Sequence, residues 1–257
     1  MTVSLGVDIG FSSEVASTGI CVISPTHIEP VRVMHVTTKQ TLQAIRNILR
    51  GECPTSISID GPLVPSANGY LQGFRLVNQY RGCEKKLSGG IFQKRCKPGS
   101  TNTPRGQALH RQATYVANSL LMDHPESRIV EAFPNAFLGV MMPSTIFKQP
   151  IRRGIKSDVF WQVGIRRKIL DRLISSLYGA YSTRLSYHWR GIKNHDERAA
   201  FICALSARTS EVGNGVTVWG GDDGEFILPP AAFFQSWAIN ELDKRLALAP
   251  KGSNWGR

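Results

Sequence analysis

No stretch of the 257 residues approaches the roughly 20 consecutive apolar positions of a membrane-spanning helix, and MTVSLGVDIG at the start carries neither a basic leader nor an apolar signal core. Those two absences predict a cytoplasmic protein with no membrane partner. Cysteine is scarce and unpatterned: Cys21, Cys53, Cys83, Cys96 and Cys203 are odd in number, with no C-x-x-C pair and no paired-histidine spacing. That argues against a disulfide scaffold or a zinc module and for reduced thiols. No internal repeat is present, which removes solenoids and propellers. The hydrophobic fraction of 42% and charged fraction of 19% leave no sign of disorder, collagen or coiled coil.

Acid is in deficit as well. The chain has 19 Asp and Glu against 31 Lys and Arg, a net charge of +12, and the excess is concentrated. Arg75 to Arg111 holds nine basic residues and one acid, Glu84; Lys148 to Lys193 holds eleven basic residues and two acids, Asp158 and Asp171. Two basic blocks interleaved with Gly, Ser, Asn and aromatics suit a phosphate backbone, where each neutralised phosphate releases counterions. Charge alone fits a solvated basic surface equally well. Position favours phosphate, because the blocks follow the two acid-bearing strands described next.

What is present reads as a mixed α/β sheet. LGVDIGF (5–11) is a strand closing in a Gly turn, TGICVIS (18–24) its hairpin partner, and VRVMHVTT (31–38) alternates as a third strand of the meander. TLQAIRNILRG (41–51) has helical apolar spacing, and SISID (56–60) is a fourth strand stopped by Asp60, Gly61 and Pro62. Residues 61–103 lose periodicity, a length that predicts a functional basic insertion with a mobile Gly89-Gly90. A helix over 105–122, a fifth strand carrying Glu131, a second basic segment (143–193) with an amphipathic helix over 159–179, a helix over 194–208, a hairpin over 215–230 and a closing helix over 231–249 complete the expected single domain, 1–257.

Asp8, Asp60, Glu131 and Asp196 sit at the edges of otherwise apolar elements. Any one of them fits a turn, an ion pair or a helix dipole. Together they point further, since strands one and four of such a sheet can be neighbours and would set Asp8 beside Asp60. Carboxylates so close repel and call for protons or cations. The helix begun by Asp196 presents Ala200, Cys203, Ala204 and Ala207 on one small face, suited to close packing on a sheet, which aims Asp196 inward. Hard oxygen donors suit Mg²⁺ or Mn²⁺, which serve phosphodiester hydrolysis.

In order along the chain, VDIGFSS, TGICVI, SIDGPLVP, RGCEKKL, VEAFPNAFL, NHDERAAFICALSA and DGEFILPP resemble the family called domain of unknown function 429, described as predicted RNase H-like nucleases. The resemblance covers nearly the whole chain. It implies an RNase H-like fold with Asp8, Asp60 and Asp196 as metal-binding acids and Glu131 as a fourth catalytic acid. Where well-studied RNase H-like nucleases commonly carry Glu as the second acid, this chain has the shorter Asp60.

The expected function is thus a Mg²⁺- or Mn²⁺-dependent nuclease. Lys94, Arg95, Lys97, Arg105, Arg152, Arg153 and Lys156 are the expected contacts to the nucleic acid, DNA or RNA. His195 is a candidate ligand or proton shuttle, although a cap histidine is more often structural. Cys83 and Glu84 are candidates for holding the insertion in place, with Glu84 equally able to pair with a neighbouring lysine, and Tyr187 and Trp189 stack either on bases or in the core. Two alternatives stand beside this: a non-catalytic nucleic-acid binder on the same fold, and an actin-like or sugar-kinase-type phosphotransferase suggested by VDIGFSSEVASTG, which lacks a second copy of that motif.

Overall fold

Apolar residues alternating with small ones make Ser4–Asp8 (β1) a strand that can be covered on both faces, and it lies in the interior of the sheet. The chain then turns back twice, through Ser17–Ile23 (β2) and Ile28–Met34 (β3), each antiparallel to the one before. Thr37 caps the helix Thr38–Leu49 (α1) by a reciprocal bond with Gln40, and the helix returns the chain to Ser56–Asp60 (β4), parallel to β1 on its other side. Pro65–Ser66 (β5) and Gly69–Tyr70 (β6) form a small separate ribbon. The helices Gly82–Leu87 (α2), Gly90–Arg95 (α3) and Pro104–Asp123 (α4) lead to Arg128–Ala132 (β7), parallel to β4. Pro134–Gly139 (α5), Lys156–Arg166 (α6), Ile169–Tyr178 (α7), Ser182–Trp189 (α8) and His195–Val212 (α9) follow. The hairpin Gly215–Trp219 (β8) and Glu225–Pro230 (β9) and the helix Ser236–Leu246 (α10) close the described chain.

The computed structural model describes residues 2–10, 17–34, 37–73, 80–147, 151 and 155–246. Within them the sheet has seven strands in the order β3-β2-β1-β4-β7-β9-β8. The mixed α/β sheet read from the pattern is present. One face buries Val7, Ile57 and Ile59 against α1 and α4; the other lies under α9, with the apolar residues of α5 to α8 and α10 beyond it. Gly6 explains how closely α9 approaches. A Cβ there would fall 2.1 Å from the Ala200 carbonyl oxygen and 2.2 Å from the Ala204 nitrogen. Ala200, Cys203, Ala204 and Ala207 are fully buried, as the small-residue face predicted.

Four expectations need correction. The helix expected over 159–179 is two helices, broken at Lys168, which takes the left-handed conformation at φ 53° and lets α6 and α7 bury separate apolar stripes. The closing helix starts at Ser236, after a short 3-10 turn at Ala231–Phe233. β9 is more than half of a hairpin: it joins β7 in parallel, with Glu131 and Phe226 in register. The insertion 61–103 is not a loose basic loop, because α2 and α3 send Cys83, Leu87, Phe92 and Cys96 into the core. Residues 11–16, 35–36 and 247–249, parts of expected turns and elements, lie outside the described residues. Among the described residues no helix is long and apolar enough to cross a membrane.

Candidate active site

Asp8 ends β1 and Asp60 ends β4, and the parallel register sets them directly opposite one another. Two carboxyl groups so placed repel when both are charged, which favours a proton held between them. Burial is the largest influence on both. It pushes Asp8 well above the ordinary carboxylate range, helped by the negative charges of Asp60 and Asp196, and it lifts Asp60 to about 7 against the opposing hydrogen bond from Asp8. Each keeps a partly open edge. That edge faces a cavity of about 50 Å³ whose polar lining includes Asn135, Ser157, His195 and Arg198.

The turn after Asp60 is held from three sides. A Cβ on Gly61 would fall 2.6 Å from the Ala113 methyl of α4, so the backbone lies against that helix. His110 Nδ1, kept neutral by burial, donates to the Pro62 carbonyl oxygen at 2.9 Å. The Leu63 N–H donates to Glu131 Oε2 at 2.8 Å. The direction of the Asp60 carboxylate is thereby set by groups from α4 and β7.

Glu131 does not join the pair. Ala132, not Glu131, is in register with Asp60, and since side chains alternate along a strand Glu131 leaves the sheet on the face of Ile59. There the Arg81 guanidinium grips it in a two-pronged pair at 2.6 and 2.8 Å. Burial raises Glu131 to about 7 while Arg81 pulls the other way. Arg81 is fully buried, and its Nε also donates to Glu84 at 2.9 Å and to Thr101 at 3.2 Å. Thr101 in turn bonds the Glu84 carboxylate through its hydroxyl and its N–H. Glu84 thus fastens the insertion, as its buried position beside Cys83 requires. Arg81 is the residue that composition hid: one arginine among nine basic residues of that block, with Glu84 three positions on as its only local sign.

Asp196 starts α9, where Asn194 caps the helix by accepting from the Asp196 and Glu197 N–H groups. Its charge reaches Asp8, yet its Oδ2 accepts from Arg32 Nε at 2.9 Å and from the Ser17 hydroxyl. The three acids expected around one ion are therefore present as a touching pair and a third held on β2 and β3. Among the described residues no group of three or more His, Cys, Asp or Glu side chains stands in a metal-holding arrangement. The donor set of the pair still fits a hard divalent cation, because two carboxylates that share a proton offer the same oxygens to an ion that replaces it.

His195 is exposed beside this cavity, its Nδ1 3.0 Å from the Ser157 hydroxyl. Of the expected nucleic-acid contacts, Lys94, Lys97 and Arg105 are exposed, and Lys156 is half-buried with its ammonium on the Lys94 carbonyl at 3.3 Å. Arg95 is differently employed: its guanidinium lies 4.5 Å from the Phe147 ring centre and 4.2 Å from that of Trp237. Arg152, Arg153 and the Tyr187 side chain are outside the described residues. Trp189 is fully buried, stacked on Phe201 and edge-on to Trp161, so it serves the core.

No protein-family model, no curated protein and no solved structure matches the chain.

Proposed function

We propose that this protein is a metal-dependent nuclease of RNase H-like architecture, hydrolysing phosphodiester bonds in DNA or RNA. The observation that carries the reading is the Asp8–Asp60 pair: two carboxylates in register at the ends of adjacent parallel strands, both lining one cavity. The strand order supports it, since the sheet combines a three-strand antiparallel meander with further strands, as in the mixed sheet of the RNase H-like expectation. Asp8 and Asp60 would hold Mg²⁺ or Mn²⁺, with Asp196 the third ligand once freed from Arg32. Bound there, the ion supplies an activated water and charge stabilisation at the leaving oxygen.

The remaining work belongs to the chain. The clamp on residues 61–63 keeps Asp60 aimed, the small face of α9 holds Asp196 close to β1 and β2, and exposed Lys94, Lys97 and Arg105 supply charge for the backbone. The test is cleavage of labelled single- and double-stranded DNA and RNA with Mg²⁺ or Mn²⁺. Wild type should cut at least one substrate, and Asp8→Asn and Asp60→Asn should lose cutting while keeping their circular dichroism and their affinity for the uncut substrate. Equal cleavage by wild type and Asp8→Asn removes the reading. Binding without cleavage by any form leaves the non-catalytic nucleic-acid binder in its place.

A further inference from the structure

A second cavity, of about 220 Å³, has Asp60 in common with the first and is otherwise lined by different residues. Its lining is mixed. Leu109, Phe133 and Phe226 are its large apolar residues and Arg81, Glu84 and Glu131 its charged ones, with the Arg81 guanidinium 5.5 Å from the Phe226 ring centre. Volume gives a first constraint: an apolar protein cavity of about 150 Å³ accepts benzene, so this one admits a larger planar ring. Charge gives the second. Among the described residues the cation on the wall is Arg81, and its nitrogens are already committed to Glu84, Thr101, Glu131 and two backbone carbonyls. A phosphate would meet two carboxylates and a spent guanidinium. A neutral planar ring meets the Leu109, Phe133 and Phe226 side chains beside an Arg81–Glu84–Glu131 cluster whose charges are already paired.

We propose that this cavity is a nucleobase pocket, which seats one unpaired base of the strand whose phosphate lies at Asp60. The proposal deepens the nuclease reading and rests on its claim that the substrate is nucleic acid. Both cavities share Asp60, so a nucleotide spanning them places its phosphate at the carboxylate pair and its base between the insertion and β7. A base inside a duplex cannot reach a recess of this kind without leaving its stack. The substrate class that follows is single-stranded nucleic acid, or a strand with an unpaired nucleotide next to the cleaved bond. The insertion then has a purpose besides charge: its buried Arg81–Glu84–Thr101 network builds part of the cavity's lining.

The test uses the full chain as Asp8→Asn, which keeps Asp60 and this cavity while leaving substrate intact. Its affinity is measured by fluorescence anisotropy for a short single-stranded oligonucleotide and for an abasic oligomer of equal length and charge. Loss of the bases should weaken binding about tenfold, the lower range for a base stacked on aromatic side chains. A duplex of the same sequence should bind more weakly than the single strand at matched salt. A Gly99→Trp change added to Asp8→Asn gives a second readout. Gly99 lines the cavity, an added Cβ there meets no atom within 4 Å, and its backbone is not in the left-handed region. Filling the recess should cost about tenfold on the intact oligonucleotide and nothing on the abasic one. Equal affinity of Asp8→Asn for the two oligomers overturns the pocket, whatever the Gly99→Trp variant does. A Gly99→Trp loss of the same size on both overturns it too. A wild type that never cuts yet shows the base dependence keeps the pocket and removes only the nuclease reading.

Discussion

Arg81 is the residue on which most of the polar interior depends. It is fully buried between Glu84 and Glu131, and removing one partner of a buried ion pair typically costs about 3–5 kcal/mol because the other charge is left unsatisfied. Arg81→Met should therefore lower unfolding free energy by that order in urea titrations, and adding Glu84→Gln and Glu131→Gln should restore part of it. A loss under about 1 kcal/mol for Arg81→Met would show that neighbouring groups or water replace the guanidinium. The Asp8–Asp60 pair makes an opposite demand, for protons. Both groups have folded-state values raised above their ordinary 3.8, Asp60 to about 7, so between about 4 and 7 the folded form binds more protons than the unfolded. The contribution of Asp60 is thus fully present below about 4 and is lost as pH rises through about 7, with a slope of at most about 1.4 kcal/mol per pH unit for its proton; that of Asp8, raised in the same direction, is likewise lost only as pH rises. In metal-free protein the urea midpoint of wild type should fall from pH 5 to pH 7.5 relative to Asp60→Asn, which removes one of the titrating groups. Mn²⁺ should recover the loss at pH 7.5, since an ion at 100 times its Kd adds about 2.7 kcal/mol. No recovery at that concentration would count against the pair as a cation site.

At the scale of elements, α9 decides where the third acid stands. The helix lies on β1 and β2 because Gly6 and Gly19 leave no Cβ in its way: one on Gly19 would fall 2.0 Å from the Asp196 carbonyl oxygen. Gly6→Val should cost more than the ~1–3 kcal/mol usual for an overpacked core, because the clash is with helix backbone and not with a side chain that can turn aside. The cost should appear in thermal unfolding, with Asp196 displaced from Arg32. Asn194→Ala is milder: it removes the acceptor for two N–H groups at the start of α9 and should cost about 1 kcal/mol, leaving the sheet contact in place. The β4 end shows the same dependence on neighbours. SISIDGPLVP gives an apolar strand, an acid and a turn, but the aim of Asp60 is supplied by His110 of α4 and Glu131 of β7, far along the chain.

For the whole molecule, a net charge of +12 predicts an affinity for nucleic acid that falls steeply with salt. About six neutralised phosphates would reduce it roughly 10³-fold between 50 and 200 mM salt. The structure separates basic residues that composition treats alike. Lys94→Ala with Lys97→Ala should lower the slope of log affinity against log salt by about 2, one per exposed lysine. Arg95→Ala should leave the slope unchanged and lower thermal stability, because its guanidinium is spent on Phe147 and Trp237. A slope that responds to Arg95 as it does to Lys94 would contradict that assignment.

The sequence by itself determined what local pattern can determine. Alternation and apolar runs placed the meander and β4, the Ala-rich face of α9 announced a close contact, and the order of the strands allowed β1 and β4 to be neighbours, a pairing whose parallel register sets Asp8 against Asp60. Glu131 and Arg95 show where such reasoning stops. A period of two says that residues 131 and 132 face opposite ways, but which of them aligns with Asp60 is set by the register of β7 on β4, a contact between segments about 70 residues apart. Whether an arginine meets phosphate or a cage of aromatic rings depends in the same way on where α10 and residues 144–147 come to rest. Arg81, the Asp196–Arg32 pair and the second cavity likewise exist only once distant strands and helices meet. Hydrophobic periodicity is a property of neighbours in the chain, whereas the partner of a charge is chosen by neighbours in space, and only the tertiary structure supplies those.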